Sequence, residues 1–254
     1  MRATGFEYRL RFPLHALIYI LGFWPFWEPW LGLSQKSCWL TFSAFFARQG
    51  WLGFQAATLV FLVAALLLTI LGAWFRVWGS AYVGANIVNS PHMHGQAMLA
   101  DGPYRRTRNP LYLGTLLHTV GIALLMPPAG ALFTIAAIWI LQVRLALAEE
   151  PFLEQQFGRP YLDYMALVPR FLPAPRAQVP AAGTKARWGQ GLLGEIYFIG
   201  VAVTLLCFGW NFNATPLLQG ILISLGLAIV VYALTPKTLP GAPTVAAANR
   251  YDGV

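Results

Sequence analysis

Charge is what this chain has least of. Only 10% of its 254 residues are Asp, Glu, Lys or Arg, against about 25% in a soluble globular domain. That scarcity, with 57% hydrophobic residues and a mean hydropathy of +0.58, excludes a soluble domain and indicates a membrane protein. Cysteine is scarce too. Cys38 and Cys207 stand apart in apolar surroundings, so neither a disulfide nor a cysteine metal site follows. Nine acidic residues face 17 basic ones, for a formal net charge of +8. Nucleic acid is rejected as a partner, because the cations track the apolar runs and form no block with interleaved aromatics. No internal repeat at a solenoid period is visible. No small-residue cleavage pattern follows Arg2, Arg9 and Arg11, so the first apolar run is expected to be a retained span and not a removable signal.

What the chain has in quantity is long apolar runs. Six lie at 12–33, 52–75, 110–126, 128–148, 191–210 and 215–234, each close to the ~20 residues that cross a bilayer. The expected fold class is therefore all-α, a polytopic membrane protein of about six transmembrane helices. Pro25, Glu28 and Pro29 weaken the outer end of the first run, and Trp24, Trp27, Trp30, Trp39 and Trp51 cluster there, as in an aromatic belt. Met126-Pro127-Pro128 separates the third and fourth runs, which predicts a tight helical hairpin. With six spans and a cytoplasmic N-terminus, 15 of the 17 cations fall on the cytoplasmic side and only Lys36 and Arg48 outside, a strong positive-inside bias. Residues 76–109 and 149–190 then share the cytoplasmic side and can meet. The expected organisation is an N-terminal span and outer connection (1–51), a membrane core (52–173), a Pro/Ala/Gly-rich linker (174–190), a C-terminal helix pair (191–236) and a disordered tail (237–254).

Polar residues gather in a few places. Asp101-Gly-Pro-Tyr-Arg-Arg-Thr-Arg-Asn-Pro-Leu-Tyr-Leu-Gly114 sets three arginines, an asparagine and two tyrosines directly against an apolar run. Asn109 reads as an N-cap and Pro110 as the first helical residue. The segment is either a well-made helix start with arginines among lipid headgroups, or a helix N-terminus holding an anionic ligand group beside Arg108. Glu149 and Glu150 end the fourth run; neighbouring residues on a helix point about 100° apart, so the pair cannot share one face. Opposing the helix dipole at a C-terminal end, they make sense if the helix continues through them or if a cationic ligand comes to them. Tyr161 and Tyr164, at i and i+3, share a helix face before Arg170, which suits either an interfacial packing helix or a site. His92-Met-His94 is too sparse for a metal site. His118 lies within a span and reads as a hydrogen-bonded core histidine or a functional one. Glu28 and Glu195 read as interfacial.

Taken in order, Gly102-Pro-Tyr-Arg-x-x-Arg-Asn-Pro-x-Tyr-x-Gly114, Glu149-Glu150, Phe157-Gly-x-x-Tyr-x-x-Tyr164 and Val168-Pro-Arg-Phe-x-Pro173 resemble the isoprenylcysteine carboxyl methyltransferase and phospholipid methyltransferase family. The resemblance covers roughly residues 55–173. It implies an integral membrane methyltransferase that uses S-adenosylmethionine, with a cytoplasmic-edge cofactor site, membrane lipids around it and a lipophilic acceptor (an isoprenylcysteine carboxylate, a phospholipid amine or similar) arriving from the bilayer. By resemblance, Arg108, Asn109, Pro110 and Tyr112 match the Arg-His-Pro-x-Tyr element, Glu149 and Glu150 the paired acids, and Tyr104, Tyr161 and Tyr164 the aromatic positions of the cofactor pocket. Arg170 matches the Pro-Arg element; Arg170 or Arg106 would orient a carboxylate acceptor, and Glu150 would act as base toward an amine. Asn109 stands where the isoprenylcysteine branch has His, which removes a group that titrates near neutral pH. The first span and the pair after Pro173 lie outside the resemblance and read as accessory or homo-oligomer-forming. Two other readings stand beside it: an NADPH-dependent sterol-type membrane reductase, and a non-catalytic membrane protein such as a transporter or scaffold. A transporter predicts paired broken helices in two related halves, and none is seen.

Overall fold

The computed structural model describes residues 2–23, 36–83 and 100–234. These form ten helices and a 3-10 turn, with no strand among the described residues: α1 Gly5–Arg9, α2 Arg11–Phe23, α3 Cys38–Arg48, α4 Phe54–Val83, the turn Gly102–Arg105, α5 Pro110–Ala123, α6 Pro128–Phe157, α7 Arg159–Leu167, α8 Trp188–Gly194, α9 Ile196–Asn211 and α10 Ala214–Leu234. Glu28, the His92/His94 pair, Trp24, Trp27, Trp30 and the tail after Pro236 fall outside the described residues.

The all-α expectation holds, but the described residues do not confirm the count of about six spans. Among the described residues, three helices are long and apolar enough to cross a membrane, at Phe54–Val83, Pro128–Phe157 and Thr215–Leu234. A fourth span exists if α8 and α9, bent by 68° at Glu195, act as one. The 14-residue α5 reaches only about 21 Å at 1.5 Å per residue, short of a ~30 Å hydrocarbon core. Two spans instead run past their expected ends. α4 continues to Val83, and α6 continues through Glu149, Glu150 and Pro151 to Phe157.

Small residues bring α4 and α5 together. A Cβ on Gly72 would stand 2.6 Å from the Gly114 carbonyl oxygen and from the His118 backbone nitrogen. A Cβ on Gly114 would stand 2.7 Å from the Gly72 carbonyl oxygen. Close backbone approach of this kind is how helices associate in lipid, where no hydrophobic effect drives them. Leu67, Ile70, Leu71 and Trp74 on the outer side of α4 stay exposed, as does most of α10; they are lipid-facing in a membrane. The α5–α6 hairpin is as tight as expected. Its turn carbonyls at Met126 and Leu124 accept the Cys38 and Trp39 N–H groups at 2.8 and 2.7 Å, which satisfies two otherwise unpaired donors at the start of α3.

Below the hairpin's far end, the 101–109 loop lies along 168–178 as a paired strip. Arg108 N–H donates to Pro169 O (2.9 Å), Ala174 N–H to Arg106 O (2.9 Å) and Gln178 N–H to Arg105 O (2.8 Å). Thr107, fully buried, donates its hydroxyl to the Arg170 and Phe171 carbonyls at 3.2 and 2.9 Å. The two polar segments that the charge bias placed on one side of the membrane are thus in direct contact.

Candidate functional site

The two glutamates diverge as adjacent helical residues must. Glu149 turns toward α1 and α5. Its Oε1 accepts the Tyr112 hydroxyl at 2.6 Å and the Tyr8 hydroxyl at 3.0 Å. Glu150 turns toward the strip. Its Oε1 accepts Arg108 Nη1 at 2.6 Å, and its two oxygens take Arg170 Nε and Nη2 at 2.8 Å each. Arg170 therefore grips Glu150 as a fork, the strong geometry for a carboxylate. The cluster is largely screened from solvent: the side chains of Arg108 and Glu150 are 12% and 14% exposed, and Arg170 is 39% exposed. The hydrogen bond to Glu150 raises the Arg170 guanidinium above its ordinary value.

Asn109 precedes α5, but its side chain makes no capping bond. It donates Nδ2 to the Arg170 carbonyl at 3.0 Å instead. The expected N-cap is thus a docking residue, and Pro110, which has no N–H to satisfy, starts the helix. Tyr161 and Tyr164 do share a face, with rings 6.0 Å apart, and Tyr164 donates its hydroxyl to the Tyr104 carbonyl at 2.8 Å. Burial, and then the Glu150 charge, push the Tyr161 phenol up to about 12. Arg108 keeps one unused group: its Nε is buried with no hydrogen-bond partner. Arg106 stands apart from this cluster. Its guanidinium donates to the carbonyls of Pro175 and Ala174.

One participant was not foreseen from the sequence. Tyr8, on a short N-terminal helix remote in sequence, completes the Glu149 contacts, and Arg11 lies over its ring at 4.3 Å. No local signal marks Tyr8; only docking of α1 brings it in, through Ala3 N–H to Arg144 O (3.0 Å) and Glu7 to Arg144 (2.7 Å). Glu195 is not interfacial. It is 1% exposed and bonded by Arg76 Nε at 2.5 Å, Arg76 Nη2 at 3.0 Å and the Ser80 hydroxyl. Arg76 reaches on to Thr115 Oγ1 at 2.8 Å. His118 is fully buried against the Phe198 ring, 4.7 Å between centroids, with Nε2 unpartnered. No group of His, Cys, Asp and Glu suited to a metal exists among the described residues.

An all-helical membrane protein with a carboxylate–arginine–tyrosine cluster at one end of its longest helices is the class that fold and site define. Comparison with known proteins narrows it. Residues 60–160 match the family model described as phospholipid methyltransferase. The chain is 32% identical over 77 residues to protein-S-isoprenylcysteine O-methyltransferase B of Arabidopsis thaliana, covering 30% of this chain and 39% of that protein. It is 33% identical over 87 residues to protein-S-isoprenylcysteine O-methyltransferase A of the same plant, covering 34% and 43%. The chain thus spans about two fifths of the length of these relatives. No solved structure matches. The resemblance read from the sequence holds: the central segment is similar to phospholipid methyltransferases and to isoprenylcysteine O-methyltransferases.

Proposed function

We propose that this protein is an integral membrane methyltransferase that uses S-adenosylmethionine and methylates a lipophilic acceptor at the cytoplasmic membrane face. The observation that carries the reading is the meeting of Arg108, Glu150 and Arg170 beside the start of α5, with Glu149 one helical step away. Arg108 and Glu149–Glu150 lie within the segment that matches the methyltransferase family.

The residues fit this cofactor. S-adenosylmethionine carries a carboxylate, an amino group and a sulfonium, and supplies an activated methyl group. Arg108, with its buried unpartnered Nε, and the N-terminus of α5 would hold the carboxylate. Glu149 or Glu150 would hold the amino group. The faces of Tyr104, Tyr161 and Tyr164 would shelter the sulfonium, a contact worth ~0.5–2 kcal/mol each. Methyl transfer is largely a matter of alignment. Toward a carboxylate acceptor the chain need only orient the nucleophile, and Arg170 is the partly exposed cation of the cluster. Toward an amine it must accept a proton, and Glu150 is the carboxylate in place. Arg106 lies outside the cluster, with its guanidinium on the Pro175 and Ala174 carbonyls, so the orienting role falls to Arg170. The contact between 101–109 and 168–178 supports a common side for both segments; the excess of cations on that side is the reason to take it, with both termini, as cytoplasmic.

The test is thermal stabilisation of the purified protein by S-adenosylmethionine and S-adenosylhomocysteine, beside NADPH. At about 100 times its dissociation constant a ligand adds roughly 2.7 kcal/mol. A shift with both adenosyl compounds is expected. A shift with NADPH alone would replace this reading by a reductase, and no shift with any would leave a non-catalytic membrane protein.

A further inference from the structure

A cavity of ≈ 710 Å³ opens beside the 101–109 loop and shares no lining residue with the Glu149–Glu150 cluster. One wall is aromatic: Phe75, Trp78 and Tyr82 from the last turns of α4. The facing wall comes from the strap that follows Pro173, with Ala177, Ala181 and Thr184. That strap lies beyond residues 60–160, the segment matched to the methyltransferase family.

Arg105 and Arg106 line the cavity between these walls. Arg105 uses Nε on the Val179 carbonyl (2.8 Å), and Arg106 uses Nη1 on the Ala174 and Pro175 carbonyls. Each guanidinium has five N–H donors, so most remain for a ligand. Neither has a carboxylate partner among the described residues. The one acid on the lining, Asp101, is 3% exposed and already engaged. Its Oδ1 accepts Ala182 N–H at 2.9 Å and Gly183 N–H at 3.3 Å, and its Oδ2 accepts Thr184 N–H at 2.7 Å. The strap adds Arg176, Lys185 and Arg187 and no acid. The local charge therefore selects for an anion.

The aromatic wall selects for something more than a free anion. Phe75 and Trp78 continue into a ring cluster with Trp74 and Trp188 (Trp74–Trp188 centroids 5.9 Å, stacked). Trp74, Leu71 and Ile70 on the same helix are exposed, in the position of lipid-facing residues near a membrane interface. Through the Trp74–Trp78 ring contact, the aromatic wall of the cavity is continuous with this exposed apolar side of α4.

We infer that this cavity binds the phosphate or carboxylate head of an amphiphile, between Arg105 and Arg106, with its chain leaving over Phe75 and Trp78. The inference goes beyond the methyl-transfer reading and does not depend on it, since it concerns binding without cofactor. Octyl phosphate, inorganic phosphate and octyltrimethylammonium would be titrated onto the full chain in neutral-lipid nanodiscs, with binding read by calorimetry. Octyl phosphate is expected to bind at least tenfold more tightly than either of the other two. The Arg105→Gln/Arg106→Gln variant is expected to weaken it about tenfold or more, as loss of charged hydrogen bonds does. Those arginines also hold the strap, so Ala181→Trp, which fills the cavity from an exposed strap position and keeps both cations, provides the second variant and should weaken binding equally. Binding of the ammonium as tight as that of the phosphate amphiphile would overturn the inference. So would inorganic phosphate binding as tightly as octyl phosphate, or either variant keeping the unmodified chain's affinity.

Discussion

Two neighbouring carboxylates, Glu149 and Glu150, have different partners because one helical step turns the side chain by about 100°. Glu149 is held by two neutral phenols and Glu150 by two guanidiniums, so the same substitution should have different consequences at each. Glu150→Gln leaves two arginines facing each other without their shared anion, and is expected to lower stability by ~1–3 kcal/mol and to abolish stabilisation by S-adenosylhomocysteine. Glu149→Gln keeps an amide oxygen that can accept both tyrosine hydroxyls and should lower stability less; melting curves with and without ligand separate the two. As a reference, Arg159–Asp163 is an exposed i, i+4 pair, and Asp163→Asn should change the melt by no more than ~0.5 kcal/mol. That Arg108 and the acids belong together was readable from the sequence only through the family resemblance, and their direct pairing was not readable. The fork from Arg170 to Glu150 was not, because a long side chain 20 residues away reaches a given acid only once α7 has turned the chain back.

At the scale of elements, short polar contacts tie irregular segments to the helices. Asp101 gathers three successive N–H groups of the strap at 182–184. Burial alone would raise its carboxyl, but the Thr184, Gly183 and Ala182 hydrogen bonds outweigh this and hold it below the ordinary value. A carboxyl depressed in the folded state contributes stability above its ordinary value and loses it as pH falls through the folded one. Acidification should therefore release the strap, and Asp101→Asn should release it at neutral pH; limited proteolysis within 176–187 is the readout, and unchanged cleavage would remove Asp101 as the anchor. Glu7 makes the same argument for α1. Its hydrogen bond with Arg144, then the Thr4 N–H, lowers it from 4.5 to about 2. The docking of α1 is expected to be intact above about pH 4.5 and to weaken progressively toward pH 2, measured by hydrogen exchange at residues 5–9.

At the scale of the whole molecule, the C-terminal helices are joined to the core by a charge pair and not by packing alone. Glu195 sits at the 68° break between α8 and α9 and meets Arg76 of α4, whose guanidinium also lies 4.1 Å from the centre of the Phe198 ring. Removing one member of a buried pair strands the other and costs about 3–5 kcal/mol, whereas replacing both by apolar groups is often near neutral. Glu195→Leu is therefore expected to destabilise strongly and Arg76→Met/Glu195→Leu much less, in a double-mutant cycle read by thermal melting. Equal destabilisation of the single and double variants would show that the break is held by packing.

By itself the sequence determined what local composition and period can determine. Apolar runs dictated membrane helices, Pro127-Pro128 a tight hairpin, and the cation distribution a shared side for 101–109 and 149–190. The motifs at 102–114, 149–150, 157–164 and 168–173, taken in order, carried the family resemblance. Tertiary structure decided the rest. Segment lengths did not fix the span count, because α4 and α6 extend beyond their apolar cores while α5 stops at 14 residues. Glu195 could be assigned to a surface or a core only once the close approach of Gly191 to Val77 and Ala81 had brought α8 against α4. Tyr8 entered the Glu149 cluster, and Asn109 left its cap for the Arg170 carbonyl, through contacts between segments far apart in the chain. Such contacts depend on where helices meet, and a residue's own neighbours in sequence carry no record of that.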